Sequence, residues 1–354
     1  MKTVFLTSLA AAVLASSSAM AQRFQQEAML IFPDNKFETV WIADANKAKF
    51  LYYETVNGVD QSTMLNSKPV SIWLIEPPEY SEAMELFQGR KYEEARGKFA
   101  SVREAYIKLR TLPDNHSSLA AYYTMECLRK LGKLDELAKA QESFVPDDRN
   151  SLTRAHQLKQ MELYTFWDAV RTKDWSRLEL LCNEELKNAM PGNQRAQVGY
   201  CLGLALEGQQ RSIPAINAYN IAMTADTGTS EVITQKAAEN ALRLYSADPL
   251  VQQAIRLFGT PDEEPNSLGS QRLAEAASVA ALYELTLGGG KALSEESKSL
   301  LKYLAEAPAK PKAAPAKKEE AKPGAKKPAP KKPAAKKPAA KKPAPKKPAA
   351  KKDK

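Results

Sequence analysis

The chain has 354 residues, with 51 Lys and Arg against 42 Asp and Glu, three cysteines and two histidines. That length allows a substantial core and more than one unit; three cysteines are too few for a disulfide framework, and two isolated histidines give no zinc-binding pattern. The formal charge of +9 hides an asymmetry, because residues 308–354 carry +15 and residues 1–307 carry −6.

Lys2, the apolar run Val4 to Ala15 and the small-x-small pattern Ala19-Met20-Ala21 predict a secretory signal peptide over residues 1–21, with Gln22 as the first mature residue. The apolar run is shorter than a membrane span, no Cys follows it to accept a lipid, and no later stretch approaches 18 apolar residues. The expected mature chain is exported and without a transmembrane segment, in the periplasm or secreted, with peripheral attachment to the envelope.

Residues 22–79 predict a small β domain. Phe37 to Ile42, Ala48 to Val56 and Val70 to Ile75 are rich in aromatic and β-branched residues, with further short strands near Ser62 to Leu65 and Met29 to Phe32. Asn57-Gly58 supplies a tight turn. These strands are expected to close into a small barrel or to pack a sheet on the first helices; their order resembles an SH3-like or Sm-like small barrel. Trp41, Tyr52, Tyr53 and Trp73 offer a ligand platform, but alternation puts Tyr52 and Tyr53 on opposite faces, and core packing is their expected role. Pro77-Pro78 ends the strand and starts a helix.

From residue 80 to 259 the apolar period changes to about 3.6, which predicts a mostly α architecture of helical hairpins. The first hairpin turns at Gly89, with Ala83, Phe87, Tyr92, Ala95 and Phe99 facing inward. The second turns at Gly132, with Leu137 at the packing position of its second helix. The third, Leu152 to Met190, turns at Lys173-Asp174. In the fourth, Leu202-Gly203, Leu206, Ala215, Tyr219 and Ala222 fall at the spacing of the tetratricopeptide repeat. The segment resembles that family, which implies a solenoid of stacked helix pairs with a concave face that binds extended peptides or helices. Turn spacings of about 43, 41 and 36 residues exceed the ideal 34, so the solenoid is expected to be irregular. Helices Glu231 to Tyr245 and Leu250 to Phe258 form a fifth pair.

Residues 260–269 read as a linker and 270–307 as a terminal helical hairpin around Gly288-Gly289-Gly290. Those glycines and Lys291 do not make a phosphate loop, since no strand precedes them and the P-loop pattern is not met. Cys182 and Cys201 lie in helices expected to be neighbours, so a bridge between them is permitted, but buried reduced thiols are the expected state. Carboxylates occur mainly on Lys/Glu-interspersed helix faces, and neither His116 nor His156 sits in a context that suggests a nucleophile or metal partner. Catalysis is not expected, and no cofactor or metal is implied; an unrecognised active site is the alternative.

Residues 308–354 hold 18 Lys, 11 Pro and 14 Ala, with no Leu, Ile, Val or aromatic residue, and are expected to be a disordered polycation. The lysine pairs Lys326, Lys327, Lys331, Lys332, Lys336, Lys337, Lys341, Lys342, Lys346, Lys347, Lys351 and Lys352 are candidate polyanion ligands. Behind an export signal their expected target is an anionic envelope surface such as lipopolysaccharide, anionic lipid or wall polymer. The segment also resembles the Lys/Pro/Ala tails of histone H1 and of bacterial histone-like proteins, which implies non-specific contact with DNA phosphates as the alternative. The expected function is a non-catalytic scaffold that binds a protein or peptide partner, with Tyr122, Tyr123 and Tyr200 as candidate contacts on the concave face.

Overall fold

The computed structural model describes residues 24–226, 228 and 231–304. The expected signal segment 1–21 and the lysine-rich tail 308–354 lie outside the described residues. By its contacts the chain divides after Ala305.

Alternating apolar residues build an antiparallel sheet from β1 (Gln26–Ile31), β2 (Phe37–Ala45), β3 (Lys49–Tyr53), β4 (Ser62–Leu65) and β5 (Ser71–Leu74), in the order β4-β3-β2-β1-β5. The edge strands β4 and β5 do not pair, so the strands form an open sheet rather than the closed small barrel expected from their order. Ala28, Leu30, Val40, Ile42, Phe50, Met64 and Leu74 share the covered face, and Leu109 and Leu112 complete its core. Cover from those two leucines removes the need for closure. The register places Tyr53 opposite Trp41 and Tyr52 opposite Ile42, which sets the two tyrosines on opposite faces.

Thirteen α-helices follow among the described residues. They begin with α1 (Pro78–Gln88), α2 (Tyr92–Ala105), α3 (His116–Leu131), α4 (Leu134–Glu142), α5 (Pro146–Ser151), α6 (Ala155–Thr172) and α7 (Trp175–Glu185). The remainder are α8 (Gly192–Gly208), α9 (Ser212–Ala225), α10 (Glu231–Ala247), α11 (Pro249–Leu257), α12 (Leu268–Leu282) and α13 (Glu295–Ser299). A π turn, Tyr283–Leu287, extends α12 into the glycine turn at 288–290, and Lys291 there pairs with Glu239 at 2.7 Å.

Four helix pairs turn in the same way. Arg90, Gly132, Lys173 and Gln210 take left-handed φ values of 62°, 75°, 57° and 60°. The next residue in each turn, Lys91, Lys133, Asp174 or Arg211, donates its N–H to the carbonyl five residues back, on Leu86, Leu128, Ala169 or Leu206, at 2.9 to 3.0 Å. This closure satisfies carbonyls that the helix end would otherwise leave unpaired. In the first turn the left-handed residue is Arg90; Gly89, the expected turn residue, keeps φ −73°.

The same frame places equivalent side chains inward. Five residues after each left-handed position stand Ala95, Leu137, Leu178 and Ala215, all buried. Seven before it stand Ala83, Met125, Phe166 and Gly203. Gly203 permits the closest approach: a Cβ built there would lie 2.3 Å from the Tyr219 ring, so α8 and α9 meet at a distance no larger residue allows. The α10–α11 junction differs. There Asp248 caps α11 by accepting from Leu250 N–H at 2.8 Å, with Pro249 at the first helical position.

A polar contact set lies under the start of α3. Asn115 caps α3 by accepting from Ser118 N–H at 2.8 Å, and Ser118 Oγ donates to Asp148 of α5 at 2.8 Å. Arg103 of α2 also reaches Asp148, at 3.3 Å. Both Asn115 and Asp148 are fully buried, so these bonds tie α2, α3 and α5 together where an apolar contact would ordinarily serve.

Candidate functional site

The first helices of successive pairs lie side by side. Tyr164 of α6 donates to Glu126 of α3 at 2.8 Å, and α6, α8 and α10 pack in turn. Between α3, α6, α8 and α10 opens a cavity of about 190 Å³, with Trp167, Tyr200 and Leu204 among its walls and Arg129, Lys130 and Lys236 supplying its charge.

Its floor is fixed by buried polar bonds. Glu126 accepts from Arg129 Nε at 2.9 Å and Nη2 at 2.7 Å as well as from Tyr164. Burial alone would raise the Glu126 carboxyl, but the Arg129 guanidinium holds it below the usual carboxylate value. Arg129 also lies 5.8 Å from the Trp167 ring centroid. The Trp167 indole N–H donates to Gln197 at 3.1 Å, and Gln197 exchanges two further bonds with Gln160, at 3.0 and 2.8 Å. These bonds join α6 to α8.

The two lysines make no hydrogen bond to that network, although Arg129 and Glu126 act on Lys130 through space. Lys130 Nζ lies 5.5 Å from the Tyr92 ring and 5.8 Å from Phe87, and burial, reinforced by Arg129, lowers it to about 8. Lys236 lies close to Gly132, 3.7 Å from the position a Cβ would take there. Neither has a carboxylate within ion-pair distance among the described residues.

A second cleft, of about 530 Å³, lies between β5 and the helices α1 and α3. Trp73, 63 % exposed, stands at its rim. His116 lies within it, buried against the Tyr80 ring at 5.1 Å, and burial lowers its imidazole to about 4. Its Nδ1 has no hydrogen-bond partner among the described residues.

The three tyrosines singled out from the sequence do not form one site. Tyr200 lines the cavity among α3, α6, α8 and α10, whereas Tyr123 lines the cleft beside β5. Tyr122 is buried against Tyr123, with ring centroids 5.2 Å apart. The twelve paired lysines from Lys326 to Lys352 lie outside the described residues. Arg129, Lys130, Trp167 and Lys236 escaped the sequence reading because each resembles an ordinary helix residue; only the packing of four helices brings them together.

Cys127, Cys182 and Cys201 are buried free thiols, so the permitted Cys182–Cys201 bridge is absent. Burial pushes the Cys127 and Cys201 thiols up to about 12, far from the range of an activated nucleophile. Among the described residues no group of three His, Cys, Asp or Glu is placed to hold a metal. No helix of the described residues is long and apolar enough to cross a membrane. No family model, curated protein or solved structure matches this chain.

Proposed function

We propose that the chain is an exported, non-catalytic scaffold of the tetratricopeptide type. Its stacked helix pairs bind a protein or peptide partner, and its Lys/Pro/Ala segment tethers it to an anionic envelope surface. The observation that carries this reading is the fourfold recurrence of one hairpin turn, after 42, 41 and 37 residues, with three of the first helices it joins, α3, α6 and α8, enclosing a cavity together with α10. Arrays built in this way present a continuous surface to extended ligands. The tail reading rests on +15 of charge within 47 residues and on the export pattern at the other end.

The test uses the full chain and a variant lacking 308–354, each carrying a photo-crosslinking residue at Leu204. Cell fractionation and mass spectrometry of the adducts should give the same envelope protein adducts for both chains. Only the full chain should sediment with vesicles of anionic lipid or lipopolysaccharide, and moderate salt should release it. Equal sedimentation with and without the tail would overturn the tether. Absence of protein adducts from both chains would overturn the scaffold, and recovery with the nucleoid would favour the DNA alternative.

A further inference from the structure

Resting on that scaffold reading, we propose that the cavity among α3, α6, α8 and α10 selects a partner segment in which an acidic side chain stands next to a large apolar one. About 190 Å³ accommodates one or two side chains and is too small for a nucleotide or a flavin. The walls fit an apolar group: Trp167 and Tyr200 contribute ring surface, and Val170, Leu204 and Ile233 contribute aliphatic surface. Trp167 is held by its bond to Gln197, so the surface is formed before a ligand arrives.

The charge at the same place has one sign. Arg129 is neutralised by Glu126 behind it, and that carboxylate acts on Lys130 only at longer range; Lys130 and Lys236 line the cavity with no carboxylate within ion-pair distance among the described residues. These two cations stand on a body whose overall balance, −6 over residues 1–307, is acidic. A concentration of unpaired positive charge against that background is a local feature, independent of the tail, and it complements a carboxylate. Lys130 in particular is held against two aromatic rings. A carboxylate entering from the cavity would give its ammonium the close anionic partner that the described residues do not supply, in a site partly shielded from solvent.

The test measures anisotropy of two fluorescein-labelled octapeptides with the full chain, one centred on Glu-Leu-Glu-Leu and one on Gln-Leu-Gln-Leu. Tail attraction for the acidic peptide is common to all variants, so the comparison is between wild type and Lys130→Met/Lys236→Ala. Loss of the two lysines should reduce the preference for the Glu peptide by about tenfold and leave the Gln peptide within about twofold. Lys236→Ala alone, an exposed position, gives a smaller loss in the same direction and guards against misfolding of the double variant. An unchanged preference in both variants would overturn the proposal. Equal binding of the two peptides in wild type, with crosslinking at Leu204 retained, would also overturn it and leave the scaffold reading standing. Inorganic phosphate displacing the Glu peptide at lower concentration than free glutamate would reassign the site to phosphate and overturn the carboxylate proposal.

Discussion

Arg129 grips Glu126 from the next turn of α3 through two hydrogen bonds, 2.9 and 2.7 Å, with both side chains buried. Replacing one partner strands the other charge in the protein interior, which is costlier than removing both. Glu126→Leu is expected to destabilise by about 3–5 kcal/mol, and Glu126→Leu/Arg129→Met by markedly less. Urea unfolding followed by circular dichroism separates the two; a single variant no less stable than the double would contradict the finding.

Gly203→Ala places a methyl group against the Tyr219 ring. The ring has little room to retreat, because its hydroxyl is bonded to Glu207 at 2.8 Å and to Asn240 at 3.2 Å. Overpacking of this kind costs about 1–3 kcal/mol, about 2–4 °C of Tm per kcal/mol for a domain of this size. Adding Tyr219→Leu should recover part of the loss, and calorimetry of the two variants reads the difference.

His116 is neutral in the folded protein down to about pH 4, while its unfolded form takes a proton near 6.5. Between those values the unfolded state binds more protons, so stability falls as pH drops from 6.5 toward 4. His116→Phe removes this slope, a difference of about 2–3 kcal/mol between its ends, and above pH 7 the two proteins should run parallel. Chemical denaturation at stepped pH values is the measurement, and parallel curves throughout would refute the assignment.

Lys130 titrates in the opposite part of the scale. Below about pH 8 folded and unfolded chains are both protonated; between 8 and the ordinary lysine value the folded chain loses its proton first, so stability rises with pH. Lys130→Met lacks that rise. Its stability advantage at pH 7, about 1–2 kcal/mol after allowance for partial solvent access, should shrink steadily toward pH 10.5. An advantage independent of pH would show that Lys130 is not desolvated.

Much of the helical order was readable because apolar spacing fixes which face of a helix is inward. Ala83, Ala95, Phe99, Leu137, Leu178, Ala215 and Tyr219 are all in the core, as their spacing predicts. Turn positions were legible to within one residue, since a break in periodicity marks them even where Arg90, Lys173 and Gln210 occupy a backbone conformation that composition assigns to glycine. The strands were also legible, but their alternation left both a closed barrel and a packed open sheet possible, because it specifies which face is buried and does not say what covers it. Leu109 and Leu112, which supply the cover, lie in a segment that reads as a helix end.

The candidate site was less legible. Tyr200 reaches the cavity, yet its neighbours Lys130 and Lys236 lie more than 100 residues apart and look like solvated lysines until four helices converge. Asp148 was equally opaque: nothing in PDDRNS sets it apart from an ordinary surface acid, while in the fold it is fully buried and bonded to Ser118 and Arg103. Buried polar partners of this kind are chosen by tertiary neighbours, and local sequence carries no trace of them.

The sheet has an apolar core distinct from the helical one, to which Leu109 and Leu112 contribute from beyond the strands. A body organised in this way can open in stages. Amide protons of β1 to β5 are then free to exchange through a partial opening that spares α3, α6, α8 and α10. The cavity among those helices would thus persist on a molecule whose amino-terminal strands have come apart, and harm to that end would register as altered exchange before it registered in the helical array.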